Sequence, residues 1–372
     1  MLLKLLQVAF LVLVPALMLW LESRSKIVRT LSAVVFCYLA GIAIGNQPYV
    51  PVDSQVSLNA CTMTIVLAIP LLLFSLNLPA WLKLAKATII SFLLILVSVM
   101  VMSFIACKVF AGAVEESPKV AGMLVGVYSG GTVNMSAIGT ALGVKPETFL
   151  MVNAADIVMG GAYLPLLLTV VGPLLALILP ATKKTGRSAA DESGEFFWKG
   201  PVIRPVLPGC ALAVALVAVA WLISLLFPGG TRNGVIILAI TTLAVAASFA
   251  PKIRALPKTS ETGQYLLLVF CVAIGSTADF AKFFSSTFTI LLYTGMVMYG
   301  AIALHLLLAF ICRLDRDTVI ITSTAAIYGP AFVGPVAMSL KNREVIFSGI
   351  ATGLVGIAVG NYLGLAVAWL LL

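Results

Sequence analysis

The chain has 372 residues, 61% of them hydrophobic and 10% charged, with a mean hydropathy of +1.14 and a formal net charge of +9. A soluble domain carries roughly a quarter charged residues, so a soluble globular protein is excluded. Apolar runs near the ~20 residues that cross a bilayer recur along the whole length, and the short alternating strands of an outer-membrane barrel are absent. The fold class is an all-α polytopic membrane protein.

In chain order the apolar segments fall at 3–21, 27–45, 56–76, 88–112, 119–143 and 146–179. The run at 5–21 resembles the apolar region of a signal peptide, but no small-residue cleavage site follows, so it reads as a retained first helix. Next comes a hydrophilic stretch holding Lys183, Lys184 and Arg187, then Asp191, Glu192 and Glu195. Beyond it lie apolar segments at 205–227, 231–249, 264–279, 285–312, 317–340 and 344–372. The stretch over 181–203 reads as a polar cytoplasmic linker between a first repeat at 1–180 and a second at 204–372.

The positive charge sits in short loops: Arg24, Lys26 and Arg29; Lys83 and Lys86; Lys183, Lys184 and Arg187; Lys252, Arg254 and Lys258; Arg313 and Arg316. That placement is a topology signal read against the anionic cytoplasmic leaflet, and it argues against a nucleic-acid partner. The six cysteines (Cys37, Cys61, Cys107, Cys210, Cys271, Cys312) are scattered singly, with no zinc or disulfide spacing.

Landmarks recur at an offset of about 200 positions, which reads as an internal duplication. Trp20 pairs with Trp221, Asn77 with Asp279, Tyr128 with Tyr328 and Tyr163 with Tyr362; the connectors at Trp81 and at Phe283-Phe284 correspond as well. Inverted repeats need an odd number of crossings per half, whereas hydropathy counts an even six plus six. The stretch 146–179, interrupted by Gly160-Gly161 and Pro165, either crosses twice, re-enters, or forms one long tilted helix. The expected count is about eleven to thirteen segments, with inverted repeats favoured over parallel ones.

Each half also holds a broken apolar segment. The first reads Val127-Tyr128-Ser129-Gly130-Gly131-Thr132-Val133-Asn134-Met135-Ser136, and the second Ile327-Tyr328-Gly329-Pro330-Ala331-Phe332-Val333-Gly334-Pro335. Broken backbone at membrane depth is tolerated where it is buried in protein or lines a wet cavity. A matched pair in corresponding positions points to the binding site of a secondary transporter. Candidate solute ligands are Ser129, Gly130, Gly131, Thr132, Asn134 and Ser136 with Tyr328, Gly329, Pro330 and Gly334. Candidate ion-coupling residues are Asn153, Asp156, Thr132 and Asn134, since intramembrane ionisable groups mark function by default. Thr140, Asn59, Thr62 and Thr64 are further cavity candidates. His305 reads as a hydrogen-bonded core residue ahead of a proton relay, and Asn77 and Asp279 as helix-end residues.

The segment Gly126 to Ala137, with the following helix holding Asn153, Ala154, Ala155 and Asp156, resembles an uncharacterised membrane family of the YjcL type. That family is itself related to the cation/proton antiporters and bile-acid-type anion transporters. The resemblance implies two duplicated halves whose broken helices cross near mid-membrane, with elevator-like alternating access. A paired Asp-Asp motif of antiporters is missing, which favours ion-coupled uptake of an organic solute.

The resulting expectation is an inner-membrane secondary transporter, coupled to Na⁺ or H⁺, for a small anionic organic solute. The rivals are a cation/proton antiporter with Asp156 as carrier and a non-transporting scaffold. No Walker motif, nucleophilic triad or H-E-x-x-H appears, so no enzymatic activity and no cofactor are expected beyond bound Na⁺. The partners expected are the lipid bilayer, the solute and, as an allowed assembly, a homodimer.

Overall fold

The computed structural model describes residues 2–24, 26–49, 51–84, 86–182, 203–227, 232–277, 280–342 and 344–372. In chain order its helices are α1 (Leu2–Arg24), α2 (Lys26–Asn46), α3 (Ser54–Leu73), α4 (Leu78–Leu82), α5 (Lys86–Val109), α6 (Ser117–Gly130), α7 (Thr132–Ala141), α8 (Pro146–Leu166), α9 (Gly172–Leu175), α10 (Ile203–Ser224), α11 (Arg232–Ser248), α12 (Pro251–Arg254), α13 (Thr259–Gly275), α14 (Phe280–Ile311), α15 (Arg316–Ile327), α16 (Val333–Ser339) and α17 (Val345–Leu371). A π-helical stretch, Leu167–Val171, joins α8 to α9, and a 3₁₀ turn, Pro330–Phe332, precedes α16. Among the described residues seven helices are long and apolar enough to cross a membrane, and the stretch Pro146–Leu175 counts as one of them. It is a single long helix rather than a double crossing. Most of the polar linker, 183–202, lies outside the described residues, as does Asp279; so do the side chains of Lys26, Arg29, Phe283 and Phe284.

The chain divides into two compact units, and neither coincides with a sequence half. Unit 1 takes Met1–Ser75, Thr140–Met151 and Trp198–Thr287; unit 2 takes Leu76–Gly139, Val152–Phe197 and Phe288–Leu372. Each is therefore built from both halves.

Unit 1 is centred on α3 against α13. Ser57 Oγ lies 2.7 Å from Ser276 Oγ near one end, and Gly263 packs against Ala68 and Leu72 near the other, so the two helices run antiparallel. The helix contacts map onto themselves when α1, α2 and α3 are exchanged for α10, α11 and α13. Thus α1–α2 matches α10–α11, α1–α13 matches α10–α3, and α2–α13 matches α11–α3. This pattern, with its antiparallel counterparts, is consistent with inverted repeats. Asp53 caps α3 by accepting from the Gln55 and Val56 amides at 3.0 and 3.3 Å, and Lys4 reaches it at 2.7 Å. Lys4 foremost, with the Val56 amide next, holds the Asp53 carboxyl below its ordinary range.

Unit 2 pairs α5 antiparallel with α14. Ser91 meets His305, Met102 meets Gly300, and Phe110 stacks on Tyr293 at 5.3 Å. Its centre is α17, whose glycines at 349, 353, 356, 360 and 364 form one stripe at helical spacing. Along that stripe α6 descends antiparallel: Gly122 and Gly126 lie against Gly364, and Ser129 and Gly130 against Gly356. At the tip Gly131 has φ 94° and ψ −172°, a conformation only glycine adopts without strain. Helix α7 then turns back, for Asn134 sits at Gly360 while Ile138 has returned to Gly364 and Gly126. The first broken segment is thus a helical hairpin.

The second is another. Gly329 repeats the tip conformation with φ 78° and ψ −179°. Pro330 lies on Gly353, while Ile321 of the incoming arm and Val333 of the outgoing arm both lie on Gly349. At the base, Asn342 Nδ2 donates to Asp317 Oδ2 at 2.8 Å, and Arg316 pairs with Oδ1 at 2.7 Å. Asp317 is only 2% exposed. Asp317→Ala is expected to lower stability by about 1.5–3 kcal/mol, the range for hydrogen bonds to a charged group, with the partly exposed Arg316 adding little. Melting in detergent measures this, and an unchanged midpoint would show that this contact does not close the base.

Because a hairpin enters and leaves on one side, it adds no crossing. Apart from the hairpins and the short α4, α9 and α12, each half holds five helices, α1, α2, α3, α5 and α8 in one and α10, α11, α13, α14 and α17 in the other, and these include the seven long enough to cross. Five is odd, as inverted repeats require, and counting the two hairpins as well gives twelve apolar segments. Within unit 2, Lys83 and Lys86 at the start of α5 and Arg313 and Arg316 after α14 fall at one end of that antiparallel pair, the cytoplasmic side by the positive-inside rule.

Candidate functional site

The two hairpins approach from opposite ends of α17 and meet at its middle. A Cβ placed on Gly329 would lie 4.0 Å from the Gly130 carbonyl oxygen, its nearest neighbour. The approach is possible because α17 offers only backbone there: a Cβ on Gly356 would strike the Ser129 carbonyl, and one on Gly353 would stand 2.9 Å from Pro330 Cδ. Space remains at the tips, since a Cβ on Gly131 or Gly334 would meet nothing within 4 Å.

Each tip joins the C-terminal end of one helix to the N-terminal end of the next. Helix ends leave unpaired carbonyls on one side and unpaired N–H groups on the other, with partial negative and positive charge respectively. Helix α7 begins at Thr132, and the outgoing arm of the second hairpin begins at Pro330. The meeting point therefore offers donors for an anion and acceptors for a cation within one small region.

The polar side chains named from the sequence divide by what they touch. Ser129 Oγ donates to the Gly126 carbonyl at 2.9 Å, Ser136 Oγ to the Thr132 carbonyl at 2.8 Å, and Asn134 Nδ2 to the Gly356 carbonyl at 3.0 Å. All three residues are fully buried, so these groups first of all hold the hairpin to itself and to α17. Asn134 Oδ1 is buried with no hydrogen-bond partner in the structure. Thr132 and Gly131 are partly exposed at the tip.

On α8 a single face carries Asn153, Asp156, Gly160 and Tyr163. Tyr328, from the second tip, lies over Gly160 and donates to its carbonyl at 2.7 Å. Its ring lies parallel to Tyr163, with centroids 6.4 Å apart, and tilts against Phe332 at 5.3 Å. The fully buried Tyr128 hydroxyl faces the Asp156 carboxylate. It closes no hydrogen bond of ordinary geometry. Asn153 is buried and Asp156 partly exposed.

Other named residues lie elsewhere. His305 Nε2 meets Ser91 Oγ at 3.1 Å, and Ser91 meets Thr322 in a buried cluster joining α5, α14 and α15. Asn77 caps α4 by accepting from the Ala80 amide. Asn59, Thr62 and Thr64 belong to unit 1, where Thr62 and Thr64 bond carbonyls of their own helix. Thr140 also falls in unit 1. Missed by the sequence reading were the α17 stripe, although its spacing is visible in 349–364, and Tyr163 and Tyr299 as neighbours of the second tip.

Long apolar helices, with two opposed hairpins meeting on a glycine stripe, define a polytopic α-helical membrane protein of transporter-like architecture. The chain belongs to the family described as "Protein of unknown function (DUF819)", whose model matches residues 9–372. It is similar to the "Uncharacterized membrane protein YjcL" of Bacillus subtilis (strain 168), with 25% identity over 363 residues, covering 92% of this chain and 91% of that protein.

Proposed function

We propose that this protein is a secondary transporter of the cell inner membrane, coupled to Na⁺ or H⁺, that moves a small anionic organic solute. The observation that carries the reading is the meeting of two hairpin tips against a glycine stripe. Irregular backbone in a membrane is stable only where protein or water satisfies it, and tips of this kind place opposite helix ends where a solute and an ion bind together. The free N–H groups at Thr132 and Val133 suit the solute's acid group. Carbonyls ending α6 and α15, with the oxygens of Thr132, Asn134, Asn153 and Asp156, suit a coupling cation. Elevator-like access with unit 2 as the moving body accounts for both hairpins belonging to one unit.

The test is uptake by proteoliposomes under imposed Na⁺ and pH gradients across a panel of organic acids. Accumulation that follows one gradient supports the reading, and flux indifferent to both removes the coupling. A second reading, cation/proton exchange on Asp156, draws support from the fact that none of the ion pairs among the described residues includes Asp156. In that case Asp156→Asn abolishes pH-dependent exchange; unchanged exchange would remove the second reading.

A further inference from the structure

Asp156 does not stand alone on its helix face. Tyr128 and Tyr328, from the two hairpins, lie close enough to interact with it electrostatically, and Tyr163 from α8 itself and Tyr299 from α14 extend the ring cluster that begins at Tyr328. The rings are held in place. Tyr328 donates to the Gly160 carbonyl at 2.7 Å and Tyr299 to the Met159 carbonyl at 2.9 Å. Tyr163 lies between them, parallel to Tyr328 at 6.4 Å and edge-on to Tyr299 at 6.2 Å. The fourth hydroxyl, on Tyr128, is fully buried and faces the carboxylate without closing a hydrogen bond of ordinary geometry.

A carboxylate at membrane depth needs a positive partner, and no Lys or Arg ion pair among the described residues supplies one. The surroundings select what kind of cation fits. A bare hard cation is held by several oxygens, yet two of the four phenol hydroxyls here are already engaged with α8 carbonyls. Aromatic faces beside one acid are instead the chemistry that receives an ammonium carrying carbon substituents.

We propose that Asp156, with Tyr128, Tyr163, Tyr299 and Tyr328, seats an organic ammonium group, so that the solute is a zwitterion with an amine or quaternary ammonium beside its acid group. This rests on the hairpin tips being the anion-binding solute site and names the solute's other end. Asp156 then neutralises the solute, and the coupling cation falls to the oxygens of Thr132, Asn134 and Asn153.

The experiment uses the full chain in proteoliposomes and acids matched in pairs with and without the positive group: betaine against 3,3-dimethylbutanoate, and alanine against propionate. The ammonium-bearing member is expected to enter at least about tenfold faster, the scale of a desolvated cation–π contact. Asp156→Asn is expected to remove that preference, and Tyr163→Leu to cut it severalfold where Tyr163→Phe keeps it. Melting in detergent confirms that each variant is folded. Equal or faster entry of the plain acids, unaffected by Asp156→Asn, would overturn the ammonium seat and leave the acid-solute reading intact. If neither member of any pair enters a folded preparation, the acid-solute reading itself falls, and the ammonium seat with it.

Discussion

Gly356→Ala is expected to destabilise the protein at the upper end of the ~1–3 kcal/mol typical of overpacking, and to stop uptake. The added methyl would run into the Ser129 carbonyl, with Gly130 Cα only 3.2 Å away, and both are backbone atoms of the first hairpin. No side chain can rotate aside, so either α17 or the tip must move. Gly161→Ala provides the control. Its Cβ meets nothing within 4 Å, and alanine in a helix is favoured over glycine by about 1 kcal/mol. That variant is expected to melt at or above the parent temperature and to transport normally. Equal behaviour of the two variants would show that the stripe does not seat the hairpin.

Asp156→Asn is the second substitution with a large expected effect. Asparagine preserves volume and removes the charge, so the fold is expected to persist while uptake falls about 30-fold or more, the scale of removing one partner from a desolvated charge pair. Both roles proposed for Asp156, holding the coupling cation or holding the solute's ammonium, require that charge. Gradient dependence separates them. If the carboxylate binds the cation, residual flux in the variant ignores the ion gradient; if it binds the ammonium, residual flux of plain acids still follows it. Uptake equal to that of the parent would exclude Asp156 from either role.

The sequence made the membrane class and the segment positions plain, because long apolar runs and basic loops are local signals. The broken segments were visible for the same reason: Gly130-Gly131 and Gly329-Pro330 break a helix wherever they occur. Whether the chain continues or turns back after a break was not legible, since a single glycine φ decides it and tertiary packing sets that angle. The even segment count therefore stayed open among three accounts of 146–179, of which the single long helix is the one found. The turn lies at Gly131 and Gly329, and 146–175 runs on as one helix. Partner choice was equally hidden. Ser129, Asn134 and Ser136 look alike in sequence as polar residues at a break, and only the fold shows each of them bonded to hairpin or α17 carbonyls. Tyr163 and Tyr299, separated by more than a hundred positions, become neighbours only once α8 and α14 lie side by side.

Two hairpins that enter from opposite sides and meet are tested most directly by the side from which each base can be labelled. Cys312, exposed beside the base of the second hairpin, is a native reporter, and Ala113, exposed before the first, accepts a second one as Ala113→Cys. The partly exposed Cys210 is replaced by serine, while Cys37, Cys61, Cys107 and Cys271 are buried. With a membrane-impermeant maleimide applied to right-side-out and inverted vesicles, Cys312 is expected to react only from the cytoplasmic face and the cysteine at 113 only from the opposite face. Labelling of both from the same face would contradict the opposed hairpins.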